Sequence, residues 1–147
     1  MATFGPPEQT PLMALLDWAA RHLHDRFLEE LAAAGHPQTL SASRVMGSLT
    51  ADGLRISELA DRLGITKQSV SQLVNELEAD SYVRRIPDPT DGRAKLVVFG
   101  PRGDDALPAA WRALQASEDH ARAILGESAM SQLRTSLEQL LGRDRAS

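Results

Sequence analysis

The chain of 147 residues contains no cysteine, few aromatic residues and no long hydrophobic run. The lack of cysteine excludes disulfide bonds, cysteine-ligated zinc and thiol-based redox sensing within this sequence. No apolar run approaches the roughly 18 residues of a membrane-spanning helix. The first eleven residues also lack the basic start and apolar centre of a signal peptide. We therefore expect a cytoplasmic protein.

Histidine is scarce, and the common catalytic motifs are missing. None of the four histidines has a metalloprotease spacing, and His22 and His24 point to opposite sides of a helix, where they cannot share a metal ion. The sequence contains no Ser/His/Asp order, no glycine-rich phosphate loop and no paired carboxylates in an apolar setting. It therefore predicts no metal, no cofactor and no enzymatic activity.

The chain also has fewer basic than acidic residues, which gives a formal net charge of -4. The charge is nevertheless uneven: residues 62–102 contain seven basic and five acidic residues, whereas the rest of the chain is clearly acidic. A locally basic surface on an acidic body can still neutralise DNA phosphates. The composition thus permits nucleic-acid binding.

The pattern of apolar residues predicts a mostly α fold with a small β-wing. Apolar side chains recur every three to four residues in six segments, which is typical of amphipathic helices. Two β-rich runs flank a turn rich in Asp, Pro and Gly. If the fifth helix begins near Pro101, Pro108 should kink it or shift its start. The predicted helices span 11–34, 39–49, 56–65, 66–78, 104–125 and 130–141, and the strands 82–87 and 95–99.

These elements suggest a single domain over residues 1–147 with two functional regions. Residues 36–100 are predicted to form a winged helix-turn-helix lobe, and residues 1–35 and 101–147 a helical dimerisation region. The end helices carry broad apolar stripes that cannot fully cover one another in a small monomer, so a homodimer is the simplest solution. The alternative is that these helices pack only on the lobe of their own chain.

The second helix of the helix-turn-helix has the composition of a DNA-reading helix. Thr66 can cap it, and Val70, Leu73, Val74 and Leu77 form its apolar face. The opposite face carries amides, which suit adenine edges in the major groove. The alternative is an ordinary solvated polar face. The residues predicted to contact DNA, here and in the wing, are Thr66, Lys67, Gln68, Ser69, Ser71, Gln72, Asn75, Arg84 and Arg93.

In the wing, Arg93 is expected at the hairpin tip, where it can reach a phosphate or enter the minor groove. The alternative is a solvated arginine. Asp91 is expected to structure the wing by holding an arginine in place. Arg84 and Arg85 alternate sides along their strand, so at most one of them faces DNA.

The segment from Gly53 to Gly103 resembles the MarR family of bacterial transcriptional regulators. The resemblance rests on the helix pair around residues 57–60 and 69–74, on residues 77–80 and 82–85, and on a wing signature with the Asp-x-Arg motif. At both ends the similarity is limited to the architecture. The wing signature reads Asp88-Pro89-Thr90-Asp91-Gly92-Arg93-Ala94.

The resemblance implies a dimer held by its first and last helices, which binds a pseudo-palindromic operator. The leading hypothesis is a sequence-specific DNA-binding regulator that acts as a repressor. The arginine at position 93 would enter the minor groove. It also implies a small, often aromatic ligand that weakens DNA binding. Two positions depart from the family, which usually has Gly at position 81, for a positive φ, and Thr at position 100. Residues considered for the ligand pocket are Trp18, His22, Phe27, Met46 and Trp111.

A competing hypothesis is a winged-helix protein-interaction module that does not bind DNA. Acidic replacements at Arg93, at Lys67 or on the amide face would have favoured it. The intact basic and amide residues favour DNA binding instead.

Overall fold

A computed structural model of the chain describes residues 9–142, which form six helices and a two-stranded antiparallel sheet. This architecture confirms the mostly α fold with a small β-wing. The six predicted helices are all present, with ends that differ by up to three residues. The elements are α1 (Leu12–Ala33), α2 (Leu40–Ser48), α3 (Ile56–Leu63), α4 (Lys67–Ala79), β1 (Val83–Asp88), β2 (Asp91–Phe99), α5 (Pro101–Leu125) and α6 (Glu127–Leu140).

The described residues divide into two compact units, here called the helical unit and the lobe unit. The helical unit comprises residues 9–27 and 113–142, and therefore parts of α1 and α5 together with α6. The lobe unit comprises residues 28–112 and contains α2, α3, α4 and both strands. The predicted lobe, residues 36–100, lies within it.

The lobe unit is built around a continuous apolar core. Leu59, Val70 and Val74 are fully buried and join α3 and α4 to the strands. Leu54 adds a single bridge to Val97, with backbone hydrogen bonds of 3.0 and 2.8 Å. This bridge ties the segment before α3 to β2, so the helix pair and the wing share one core.

Helix α5 begins three residues before the predicted start at residue 104. The helix begins at Pro101 and continues through Pro108, so the proline does not shift its start. The buried side of this part of α5 carries small residues, Gly103, Ala106 and Ala109. A Cβ atom on Gly103 would lie only 2.1 Å from the carbonyl oxygen of Tyr82. The small side chains thus allow this face of α5 to pack closely against its neighbours.

Candidate nucleic-acid interface

Two capping residues define the turn between α3 and α4. Gly64 ends α3 with a φ of 65°, in the left-handed region that glycine adopts without steric cost. Thr66 then caps α4, because its Oγ1 accepts a hydrogen bond from the backbone N–H of Ser69 at 3.1 Å. The Thr66 hydroxyl itself donates to Ser69 Oγ at 2.9 Å. The start of α4 is thus held by local contacts that the sequence predicted.

The two faces of α4 are sharply divided. Val70, Val74 and Leu77 are buried in the core, and Leu73 is partly buried beside them. The residues singled out on the opposite side lie in solvent, except for Ser71, which is half-buried. The exposed set is Thr66, Lys67, Gln68, Ser69, Gln72 and Asn75.

Strand β1 docks on the end of α4 through Arg85. The Arg85 guanidinium donates to Glu78 Oε1 and to Asn75 Oδ1, both at 2.8 Å, and its backbone N–H donates to Glu78 Oε2 at 3.0 Å. Arg84 lies next along the strand and is exposed. Asn75 thus helps to hold β1 against the end of α4.

The wing tip is shorter than expected. The sequence suggested a second strand from Lys95, whereas β2 begins at Asp91 and leaves only Pro89 and Thr90 in the turn. The register shifts between Pro87, opposite Lys95, and Asp88, opposite Asp91, so residues 92–94 form a bulge. Arg93 lies in this bulge and is exposed.

The carboxylate that binds an arginine side chain in the wing is Asp88. Asp91 accepts a hydrogen bond from the backbone N–H of Arg93 at 3.1 Å, so it orders the bulge through the main chain. Asp88 is buried and accepts from the N–H and hydroxyl of Thr90 at 2.8 and 2.7 Å. Its other oxygen lies 2.7 Å from Nε and 2.6 Å from Nη2 of Arg55.

These bonds set the charge state of Asp88 and connect the wing to α3. The hydrogen bonds from Thr90, and then that from Arg55, lower the pKa of Asp88 from 3.8 to about 2. Arg55 is also the N-cap residue of α3, and its backbone N–H donates to Glu58 Oε2 at 2.8 Å. Nothing in the sequence predicts this link, because 33 residues separate Arg55 from Asp88 and no local spacing signals the pair.

The five residues considered for a ligand pocket have different surroundings. Trp18 and Trp111 are exposed by 59% and 67%. His22 contacts His120, Phe27 is half-buried, and Met46 packs against the core of the lobe unit. A separate groove in the helical unit, of about 580 Å³, is lined by Leu23, Ser117, Glu118, Ala121, Met130, Leu133, Arg134, Leu137, Glu138 and Leu141.

A short helix, a glycine turn, an amide-bearing helix and a hairpin with an exposed arginine define a winged helix-turn-helix protein. Residues 36–94 match the sequence profile of the MarR family. This match agrees with the resemblance seen in the sequence and extends it towards the N-terminus of the predicted lobe. Members of the MarR family are transcriptional regulators rather than enzymes.

Individual relatives agree with this assignment. The chain is 30% identical over 87 residues to the transcriptional activatory protein BadR of Rhodopseudomonas palustris, a match that covers 56% of this chain and 46% of BadR. The chain thus matches less than half the length of that relative. Transcriptional regulator Tm0710 of Thermotoga maritima is 26% identical with a TM-score of 0.61, and the match covers 90% of this chain and 92% of that one.

A mutant of MarR from E. coli complexed with operator DNA has the same fold. It is 20% identical with a TM-score of 0.76, and the match covers 89% of this chain and 94% of that one. Within the described residues, no helix is long and apolar enough to cross a lipid bilayer.

Proposed function

We propose that this protein is a dimeric transcriptional regulator that binds a pseudo-palindromic DNA operator. The observation that carries the proposal is the exposed face of α4, where Gln68, Gln72 and Asn75 stand opposite the buried core. Amide side chains on such a helix can read base edges in the major groove. Arg93 on the wing is also exposed and suits a phosphate or the minor groove. The operator complex of E. coli MarR supports this reading by analogy of fold.

Lys67 and Ser69 supply the contacts that position the helix on the duplex. Both are exposed in the first turn of α4, where backbone N–H groups and side chains suit phosphate oxygens. Arg84 adds a positive charge from the strand, since Arg85 is committed to Glu78 and Asn75. Binding should therefore weaken steeply with salt.

The helical unit supports a dimer through its exposed apolar surface. α6 contains no buried residue, and its Leu133 and Leu140 are exposed by 43% and 66%. A soluble monomer rarely leaves so many large apolar side chains in water. A second copy of the chain would cover them and would place two lobes on two half-sites. The exposed apolar residues of this unit are Leu12, Met13, Leu15, Trp18, Leu114, Ile124, Leu125, Leu133, Leu140 and Leu141.

We infer that the regulator acts as a repressor in the bacterial cytoplasm, because a dimer bound across an operator blocks access to the promoter. BadR, in contrast, is a transcriptional activatory protein. Expression of a reporter gene placed behind the selected operator therefore tests whether this protein represses or activates transcription. Lower expression with the protein present supports repression, and higher expression overturns it. Release by a small aromatic ligand stays a prediction.

Selection of bound duplexes from a random DNA pool tests the proposal. The wild type should enrich an inverted repeat whose half-sites lie about one helical turn apart. Arg93→Ala should weaken binding to that repeat by about 1–3 kcal/mol. Arg112→Ala removes an exposed arginine from α5 and should leave binding unchanged. If the wild type enriches nothing even at low salt, the DNA-binding proposal fails and the protein-interaction module takes its place.

A further inference from the structure

Two histidines separated by 98 residues in sequence meet within the helical unit. Nε2 of His22 on α1 lies 3.0 Å from Nε2 of His120 on α5. Their ring centroids are 5.1 Å apart, and the ring planes meet at 45°. His22 is exposed and His120 is half-buried, so a small ion can reach the pair from solvent.

This separation suits a shared metal ion as well as a hydrogen bond. A neutral pair needs one Nε2 to donate a proton and the other to accept it. When both Nε2 atoms are unprotonated, both lone pairs can bind one cation instead. Two nitrogen ligands about 2.1 Å from an ion, with an angle of 90–109° between them, lie about 3.0–3.4 Å apart. The separation of the two Nε2 atoms, now 3.0 Å, therefore needs to grow by no more than a few tenths of an ångström.

The backbone beside the pair is held in place. Ser117 is buried one helical turn before His120, and its hydroxyl donates to the carbonyl oxygen of Leu23 at 2.9 Å. This bond fixes α5 against α1 next to both histidines, so the ligands are preorganised. The described part of the helical unit also contains six carboxylates and four guanidinium groups, a balance that favours a cation.

We propose that His22 and His120 form a binding site for a divalent transition-metal ion such as Zn²⁺, Ni²⁺ or Cu²⁺. Imidazole nitrogen prefers these ions over Mg²⁺ and Ca²⁺. Among residues 9–142 no group of three or more histidines and acids could hold a metal. Water therefore completes the coordination. His24 is the nearest histidine to His22 along the chain but lies on the opposite side of the helix, and the fold supplies His120 as the partner instead.

Calorimetric titration of the metal-free chain with ZnCl₂ tests this site. The wild type should bind one ion per chain. His22→Gln and His120→Gln should each weaken binding about tenfold or more, since each removes one of two protein ligands. His24→Gln, two residues away on the same helix, should bind Zn²⁺ as the wild type does.

Thermal unfolding gives a second readout, because an ion that binds only the folded chain raises its melting temperature. Zn²⁺ should raise it for the wild type and His24→Gln, but not for the two other variants, and Mg²⁺ should have no effect. Circular dichroism identifies a variant that fails to fold. If either His22→Gln or His120→Gln does not fold, the other variant tests the site. The proposal is overturned if the wild type binds no Zn²⁺, or if a folded His22→Gln or His120→Gln chain binds it equally well.

Discussion

At Ser81 the backbone takes a conformation that serine tolerates poorly. Its φ is 63°, and it is the one non-glycine residue among those described with a positive φ. The turn leads from α4 into β1, and the Ser81 carbonyl accepts from the N–H of Arg102 at 3.1 Å. The same carbonyl oxygen would lie 2.5 Å from a Cβ atom on Gly100. The two departures from the family pattern, at positions 81 and 100, therefore lie against each other.

Ser81→Gly should stabilise the protein by about 0.5–1 kcal/mol. Relief of the left-handed strain outweighs the greater freedom that glycine has in the unfolded chain. Urea unfolding measures the change as a higher midpoint. Ser131→Gly, on the exposed side of α6, is the control and should lower the midpoint, since the backbone there is helical. Equal destabilisation by both changes would contradict the strain argument.

Asp88 should make stability depend on pH in the acidic range. Its pKa is about 2 in the folded protein and near 3.8 when unfolded, so the folded state favours the ionised form. This contribution is present above about pH 4 and is lost as the pH falls towards 2. Asp88→Asn should lower stability at neutral pH, because Arg55 loses its partner, and should flatten the pH dependence between 4 and 2.

Chemical unfolding at several pH values between 2 and 7 measures this effect. Asp105→Asn, an exposed position on α5, serves as the matched control. An unchanged slope for Asp88→Asn between pH 4 and 2 would show that the bonds from Thr90 and Arg55 do not hold the carboxylate in its ionised form.

At the level of elements, Arg85 joins α4 to the first strand of the wing, so the helix and the hairpin form one structural assembly. The alternation of side chains along β1 does not decide whether Arg84 or Arg85 points towards α4. In the structure it is Arg85, which bonds to Glu78 and Asn75. The wing in turn is tied to the start of α3 through Arg55 and Asp88. The helix pair and the hairpin therefore keep a fixed relation within the lobe unit.

Gln72→Ala should relax sequence preference more than it lowers non-specific affinity. A bidentate amide contact contributes about 1–3 kcal/mol of discrimination between base pairs, whereas a phosphate contact contributes equally on all sequences. Competition binding with the selected operator and a scrambled duplex measures the ratio. Gln132→Ala on α6 should change neither affinity. An equal loss on both duplexes would mean that Gln72 contacts only the backbone of DNA.

At the level of the whole molecule, the proposed dimer depends on the exposed apolar residues of the helical unit. Leu133→Glu places a charge in the groove lined by Leu137 and Met130 and should convert the proposed dimer to a monomer. Size-exclusion chromatography with light scattering gives the mass. The monomer should also bind the operator more weakly, because it engages one half-site.

Ile65→Glu changes a residue of similar exposure in the lobe unit and should leave the mass unchanged. A monomeric wild type, or a dimer that persists in Leu133→Glu, would contradict the proposed interface.

The sequence by itself determined the features that depend on neighbours along the chain. Apolar spacing placed the six helices, Thr66 and Gly64 marked the turn between α3 and α4, and the family pattern pointed to the positive φ at position 81. The physical reason is that helix periodicity, caps and turns act over three or four residues. Most of the exposed polar face of α4 was predictable in the same way.

Only the tertiary structure decided which distant residues meet. Arg55 binds Asp88, Arg85 rather than Arg84 turns to Asn75, and His22 finds His120, because packing brings together segments that no local pattern relates. The core also determines which side of a helix is covered. In α5 the small residues Ala106 and Ala109 are buried, and larger apolar side chains are left on the surface, since only small side chains fit this close contact.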